Sequence, residues 1–118
     1  LLHPLLQAKA VVVRPQQRLR AGKPVLIEIC PACSLKRIDC YLSYKGATAK
    51  HRHARVRIMD RLIGSGLLAD PERRICKPIL DDPGGDALDA VIGAIAAANA
   101  DVDLEGDEIE RLEGRVYT

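Results

Sequence analysis

Two aspartates, Asp86 and Asp89, open a segment that reads as an amphipathic helix running to about Asn99. Residues at positions i and i+3 share one helix face, so both carboxylates are expected to project from the first turn. Carboxylate oxygens are the ligands that hard divalent cations prefer, which makes the pair a candidate site for Mg²⁺ or Mn²⁺. The alternative is electrostatic, because acids in a first turn favour the positive end of the helix dipole. In that case the acids only cap and solubilise the helix, and the chain is a non-enzymatic interaction domain.

A third acid, Glu28, stands in the run Val25 to Cys30, which reads as a buried central strand because it is almost continuously apolar. A carboxylate there is costly unless it is paired, protonated or bound to a cation. A strand acid and a helix pair can meet where a helix packs over a sheet. Two ions about 4 Å apart at such a cluster can activate water for phosphodiester cleavage. The alternative places Glu28 exposed at the strand end or paired with an arginine.

The spacing Cys30-Pro31-Ala32-Cys33 is a competing chemical signal. A C-x-x-C motif that follows a strand is typical of thiol redox proteins, and a helix starting there lowers the pKa of its first thiol. Two features of such proteins are missing, since residues 1–24 predict no βαβ unit and no Trp precedes Cys30.

Zinc binding is a further alternative, because Cys30, Cys33 and Cys40 with His51 or His53 offer suitable ligand types. The two histidines would lie about 200° apart on one helix and would not share an ion.

A basic stretch follows, and it contains two candidate phosphate-binding arginines, Arg52 and Arg55, as well as Lys45. The alternative is a solvated helix face. Both arginines also fall toward the apolar side of the predicted helix, where one of them is expected to pair with an acid. Aromatic residues make up only 3% of the chain, which disfavours single-strand binding by base stacking.

Length and composition predict one domain over residues 1–118, with a core of Leu, Ile, Val and Ala because Phe and Trp are absent. No apolar stretch is long enough to span a membrane. Four cysteines without a secretory signal predict reduced thiols and a cytoplasmic location. No P-loop, G-x-G-x-x-G or G-x-S-x-G motif is present, so nucleotide-fold and serine-nucleophile functions have no support.

The pattern of apolar residues predicts several other elements. We expect helices over Ser34 to Leu42 and Ala49 to Leu62, strand character around Ile75 and Ile79, an acidic loop over Asp101 to Glu113, and an edge strand at Arg115 to Tyr117.

Several short motifs occur in one order: Glu28 followed by Pro31-Ala32, then Tyr44-Lys45, Asp86-Ala87-Leu88-Asp89-Ala90 and Glu113-Gly114-Arg115-Val116-Tyr117. In this order they resemble the C-terminal part of the predicted nucleases of domain-of-unknown-function family four-two-nine, over roughly residues 22–118. The resemblance implies an α/β fold, a partial ribonuclease-H-like domain with a mixed sheet packed by helices. It also implies that Glu28, Asp86 and Asp89 are catalytic metal ligands for Mg²⁺ or Mn²⁺, that Lys45 faces a phosphate, and that nucleic acid is the partner.

The chain departs from this family pattern in two ways. A ribonuclease-H-like site usually takes one acid from a first strand that would precede residue 1, so the chain resembles half of a catalytic domain and is expected to be inactive alone. An incomplete sheet leaves an open strand edge, which predicts a homodimer paired through that edge. Cys30 also replaces the aromatic residue usual before the proline, which favours an incidental origin of Cys30-Pro31-Ala32-Cys33 but leaves room for a thiol role.

Overall fold

The computed structural model describes residues 2–102 and 106–118, and they form a mixed α/β structure. The α/β class predicted from the sequence is therefore confirmed. The described elements, in chain order, are α1 (Leu2–Gln7), β1 (Val12–Val13), β2 (Val25–Leu26), β3 (Glu28–Ile29), α2 (Pro31–Arg37), α3 (Ala49–Gly64), α4 (Arg73–Asp81), α5 (Asp86–Asn99), α6 (Glu108–Glu113) and β4 (Val116–Tyr117).

The strands form two parallel pairs, β1 with β2 and β3 with β4. Val12 stands opposite Val25 in the first pair, and Glu28 stands opposite Val116 in the second. The strand predicted from Val25 to Cys30 is correctly located, but it is divided between two partners. The prediction of a buried strand was wrong, because Val25 and Glu28 are exposed and the other residues up to Cys30 are only partly buried. A mixed sheet is not seen either, because both pairs in the described residues are parallel.

The core lies where α3 and α5 pack with α2 and α4. Ile58 and Leu88 are completely buried at its centre, and Ile92 and Met59 are nearly so. Long apolar stripes on α3 and α5 explain this packing, because each helix must cover its apolar face against another element. The helix predicted from Asp86 to about Asn99 is confirmed, and that predicted from Ala49 is confirmed with a longer C-terminal end at Gly64.

Two predicted elements were wrong and a third had shifted bounds, each because a local signal was missed; α2 ends at Arg37 rather than Leu42. Helix α2 begins at Pro31 rather than Ser34, since Pro31 occupies the first helical position, where its missing N–H costs nothing. Residues 73–81 form a helix rather than a strand, since Ile75 and Ile79 have the i, i+4 spacing of one helix face. Residues 108–113 are helical because Asp107 and Glu110 form a capping box.

Within residues 2–102 and 106–118, no helix is long and apolar enough to cross a membrane.

Candidate functional site

Cys30 lies between strand β3 and helix α2 and acts as the N-cap of that helix. Its backbone is extended (φ −113°, ψ 102°), and its Sγ accepts a hydrogen bond from the backbone N–H of Cys33 at 3.4 Å. The Cys30 carbonyl accepts two more bonds, from the backbone N–H of Ser34 at 3.1 Å and from its hydroxyl at 3.3 Å. The C-x-x-C spacing places both thiols in the first turn, so the Cys30 sulfur takes the position that an Asp or Ser oxygen usually fills.

The hydrogen bonds between the two cysteines shift the pKa values of the two thiols in opposite directions. The Cys33 thiol and the Cys33 backbone N–H both donate toward Cys30 and lower the pKa of the Cys30 thiol, and the positive charge of Lys36 acts in the same direction. The same contact raises the pKa of the Cys33 thiol, because donating to Cys30 stabilises its protonated form. Both thiols are free. Cys30 is therefore the more readily ionised thiol of the pair, and Cys33 holds its proton.

A cavity of about 320 Å³ lies beside Cys30. Its walls come from three separate parts of the chain: the start of α2 at Cys30 to Ala32, the loop from Tyr41 to Lys45, and Asp89 on α5. The fold therefore brings Cys30 to the same cavity as the aspartate and the lysine that the sequence analysis singled out.

Asp89 is held by two donors from the loop. The Tyr44 hydroxyl donates to its Oδ1, and the Lys45 ammonium donates to its Oδ2 at 2.7 Å. Burial and the neighbouring Asp89 carboxylate raise the pKa of Tyr44 above its ordinary value, so the phenol stays protonated. The hydrogen bond to Asp89 likewise raises the pKa of Lys45. Both oxygens of Asp89 are thus engaged within the protein.

Gly85 allows the loop to come this close to α5. It caps the helix in a left-handed conformation (φ 77°), and a Cβ at this position would lie 3.0 Å from the Tyr44 ring and 3.1 Å from the Lys45 side chain. The nearby Asp82 carboxylate accepts the N–H groups of Gly84 and Ala87, each at 2.9 Å. These bonds, the one from Ala87 above all, lower the pKa of Asp82.

Arg55, predicted to bind phosphate, instead holds the same loop from inside the protein. The side chain is only 2% exposed. Its guanidinium donates to the carbonyls of Leu80 at 2.7 Å, Tyr44 at 2.5 Å and Gly46 at 3.1 Å. A guanidinium committed to three backbone carbonyls is not available to a phosphate, so the role of Arg55 is structural. The other predicted arginine, Arg52, is half-exposed and pairs with Asp81 at 2.9 Å.

The three predicted metal ligands do not meet. Glu28 is exposed on β3, where its Oε2 lies 3.9 Å from the position that a Cβ on Gly114 would occupy. Asp89 lies on α5, and its carboxylate is hydrogen-bonded to the Tyr44-Lys45 loop instead. Asp86 is exposed at the first turn of α5, one turn from Asp89 as predicted. In the part of the chain that the structure describes, no three His, Cys, Asp or Glu side chains are placed to hold a metal ion.

The predicted zinc ligands have other contacts. Cys40 lies near the carbonyl of Arg57, with the two atoms 4.0 Å apart. His51 Nδ1 is hydrogen-bonded to the Thr48 hydroxyl at 2.8 Å, where Thr48 caps α3.

Two residues with contacts at α5, Asp82 and Tyr44, were not among the predicted site residues. The Asp82 carboxylate accepts the N–H of Ala87 in the first turn of α5, which the turn Asp81-Asp82-Pro83-Gly84-Gly85 before an apolar helix could have indicated. Tyr44 bonds to Asp89, for which we find no signal in the sequence.

Comparison of the chain with protein-family models, with curated proteins and with solved structures gives no match in any of the three. The resemblance to a nuclease family therefore stays a prediction.

Proposed function

We propose that this chain carries out thiol–disulfide exchange through Cys30 and Cys33. The observation that carries the proposal is the N-cap geometry, in which the Cys30 sulfur accepts the N–H of Cys33 at the first turn of α2. A thiolate is the reactive form of cysteine, and hydrogen bonds to the sulfur favour it. Cys33 lies close enough to complete the reaction and keeps its proton until that step.

The exchange needs only these two residues and a substrate disulfide. The Cys30 thiolate attacks one substrate sulfur; the substrate S–S bond breaks, and the departing thiolate takes up a proton. Cys33 then loses its proton and attacks the Cys30 sulfur of the mixed disulfide, which releases the second substrate thiol. The chain ends with a Cys30–Cys33 disulfide and the substrate with two thiols, a transfer of two electrons. A dithiol reductant returns the chain to its reduced form by the reverse steps.

Alkylation tests the proposed reactivity directly. Iodoacetamide should modify Cys30 faster than Cys76 at pH 7, because the lowered pKa of Cys30 raises its thiolate fraction. Cys33→Ser should trap a mixed disulfide with glutathione disulfide, and Cys30→Ser should not. Cys76→Ser is the matched control, since Cys76 donates to the Pro71 carbonyl away from the cavity. Equal alkylation of Cys30 and Cys76, or no trapped species in Cys33→Ser, would contradict the proposal.

A second candidate is the metal-dependent nuclease implied by the family resemblance. Three motifs of that resemblance, Pro31-Ala32, Tyr44-Lys45 and Asp89, line one cavity although they are far apart in the sequence. This convergence supports a partial ribonuclease-H-like domain in which Asp86 and Asp89 contribute to a site for Mg²⁺ or Mn²⁺. Such ions would supply activated water for phosphodiester hydrolysis of a nucleic acid. The cytoplasmic location and the homodimer stay predictions beside it.

The two candidates give opposite results with the same variants. For a nuclease, Asp86→Asn should abolish Mg²⁺-dependent cleavage of a labelled oligonucleotide by the complete protein, and Cys30→Ser should leave that cleavage unchanged. For thiol exchange, Cys30→Ser is the variant that loses activity. Cleavage that Asp86→Asn does not reduce would exclude the nuclease assignment.

A further inference from the structure

The charges of the chain are separated along the sequence. The first 27 residues contain five Lys and Arg and no Asp or Glu, whereas the remaining residues contain 13 Lys and Arg and all 16 acids. The formal net charge of +2 hides this asymmetry. The N-terminal part of the chain is therefore rich in positive charge, and concentrated positive charge attracts anions.

Part of this charge lines a groove of about 320 Å³ between the end of α1 and the segment that follows β1. Lys9, Arg18 and Arg20 line it, together with Gln17 and the apolar side chains of Leu6 and Val11. No carboxylate belongs to its walls, and none of the ion pairs found among the described residues involves these three cations. Three like charges around one concave space repel one another unless an anion lies between them.

Lys9 occupies a position where glycine is the usual residue. It ends α1 in a left-handed conformation (φ 50°), with its N–H bonded to the Leu6 carbonyl and the N–H of Ala10 bonded to the Leu5 carbonyl. This pattern is a Schellman motif, whose left-handed residue is most often glycine because a Cβ is strained there. Because Lys9 stands in a conformation that favours glycine, we infer that its side chain has a function in the groove, such as binding a ligand.

The opposite wall of the groove is firmly held. The Gln17 side-chain oxygen accepts the backbone N–H of Val13 at 3.2 Å, and the Gln17 backbone N–H donates to the Val13 carbonyl at 2.8 Å. The buried Arg14 donates to the Gln17 carbonyl at 3.0 Å, which ties the start of the basic segment to β1. Arg18 follows directly, so its backbone is positioned before any ligand arrives.

We propose that this groove binds a small organic phosphate that carries at least two negative charges, about the size of a nucleoside diphosphate. Arginine forks match phosphate oxygens in a bidentate manner, and Lys9 adds a point charge. Leu6 and Val11 give the groove an apolar portion for the organic part of the ligand. Its volume falls at the small end of ligand pockets, roughly 300–1,000 Å³. Convergence of the cations in one cavity favours a compact ligand over a long polyanion, which needs an extended stripe of charge. This site is independent of the thiol chemistry proposed above.

Calorimetric titration of the whole chain with pyrophosphate and with ADP tests the proposal. Both probes should bind, and ADP should bind more tightly because its nucleoside reaches the apolar wall. Replacing both arginines, Arg18→Ala with Arg20→Ala, should weaken each by about tenfold or more, since each charge-assisted hydrogen bond contributes about that factor. The control pair Lys50→Ala with Arg57→Ala removes the same charge from exposed positions on α3 and should leave both affinities unchanged.

The variant Lys9→Gly distinguishes an effect on ligand binding from an effect on protein stability. It should raise the melting temperature by about 3–5 °C, because glycine relieves the left-handed strain, while it weakens ADP binding. A residue with a purely structural role would not move these two readouts in opposite directions. The proposal is overturned if neither probe binds at millimolar concentration, or if the control pair weakens binding as much as the arginine pair. Binding of an oligonucleotide or of anionic lipid vesicles that pyrophosphate does not displace would also overturn it, in favour of a macromolecular partner.

Discussion

Replacing Arg55 with methionine should destabilise the protein more than any change at an exposed basic residue. Arg55 is 2% exposed and donates to the backbone carbonyls of Leu80, Tyr44 and Gly46. Methionine keeps a similar length and a good helix propensity, so the substitution removes the donors without disturbing α3 itself. The effect of the substitution is then that three backbone carbonyls lose their charged hydrogen-bond donor.

The cost follows from those contacts. A hydrogen bond to a charged group contributes about 1.5–3 kcal/mol, which for three bonds sets an upper limit of several kcal/mol. Water will rehydrate part of the loop, and a buried charge no longer has to be desolvated, so we expect a loss of about 3–5 kcal/mol. That is a large share of the 5–15 kcal/mol typical of a small domain. Arg55→Lys should cost less, because an ammonium restores the charge but not the fork.

Urea unfolding followed by circular dichroism measures this loss, with Arg57→Met as the matched control on the same helix. Arg57 is exposed, so its replacement should change the free energy of unfolding by less than about 0.5 kcal/mol. A loss below about 1 kcal/mol for Arg55→Met, or equal losses for the two variants, would refute the structural role that we assign to Arg55.

Three further predictions concern other parts of the fold. Leu88→Ala should cost about 2–5 kcal/mol in urea unfolding, because Leu88 is 0% exposed at the centre of the core, and a smaller loss would refute that packing. Asp39→Gly should stabilise the protein by about 0.5–1 kcal/mol, since Asp39 ends α2 at φ 52°; destabilisation would contradict this. The folded pKa of Asp82 lies below 3.8, so its contribution is present above that pH and is lost as the pH falls further. Asp82→Asn should therefore flatten the acid part of the stability curve, and an unchanged curve would contradict the assignment.

The elements with long apolar periodicity could be read from the sequence. The segments from Ala49 and from Asp86 each repeat apolar residues over several turns, and both are helices in the structure. The short elements were harder to predict from the sequence, because a few residues can fit both a strand pattern and a helix pattern. Ile75 and Ile79 fit a strand as well as a helix face until a partner is known, and the structure gives them no strand to pair with.

In the candidate site, too, the features set by local sequence could be predicted, and those set by contacts between distant segments could not. The spacing Cys30-Pro31-Ala32-Cys33 fixes the thiol geometry locally, because an N-cap involves only residues three apart. The proximity of Asp86 to Asp89 is also local, as both lie in one turn of α5. Glu28 was expected to join them, but that required a contact between distant segments, and its exposure on β3 was decided by which strands pair with it.

The sequence by itself determined the starts of α3 and α5, the C-x-x-C spacing behind the cysteine cap, and the concentration of positive charge in the first 27 residues. These follow from interactions within one turn of chain or from composition alone. Only the tertiary structure decided that the Tyr44-Lys45 loop binds Asp89 and that Arg55 is buried beneath that loop. Such contacts join residues far apart in the chain. Their free energy depends on packing around a shared core, which no local pattern specifies.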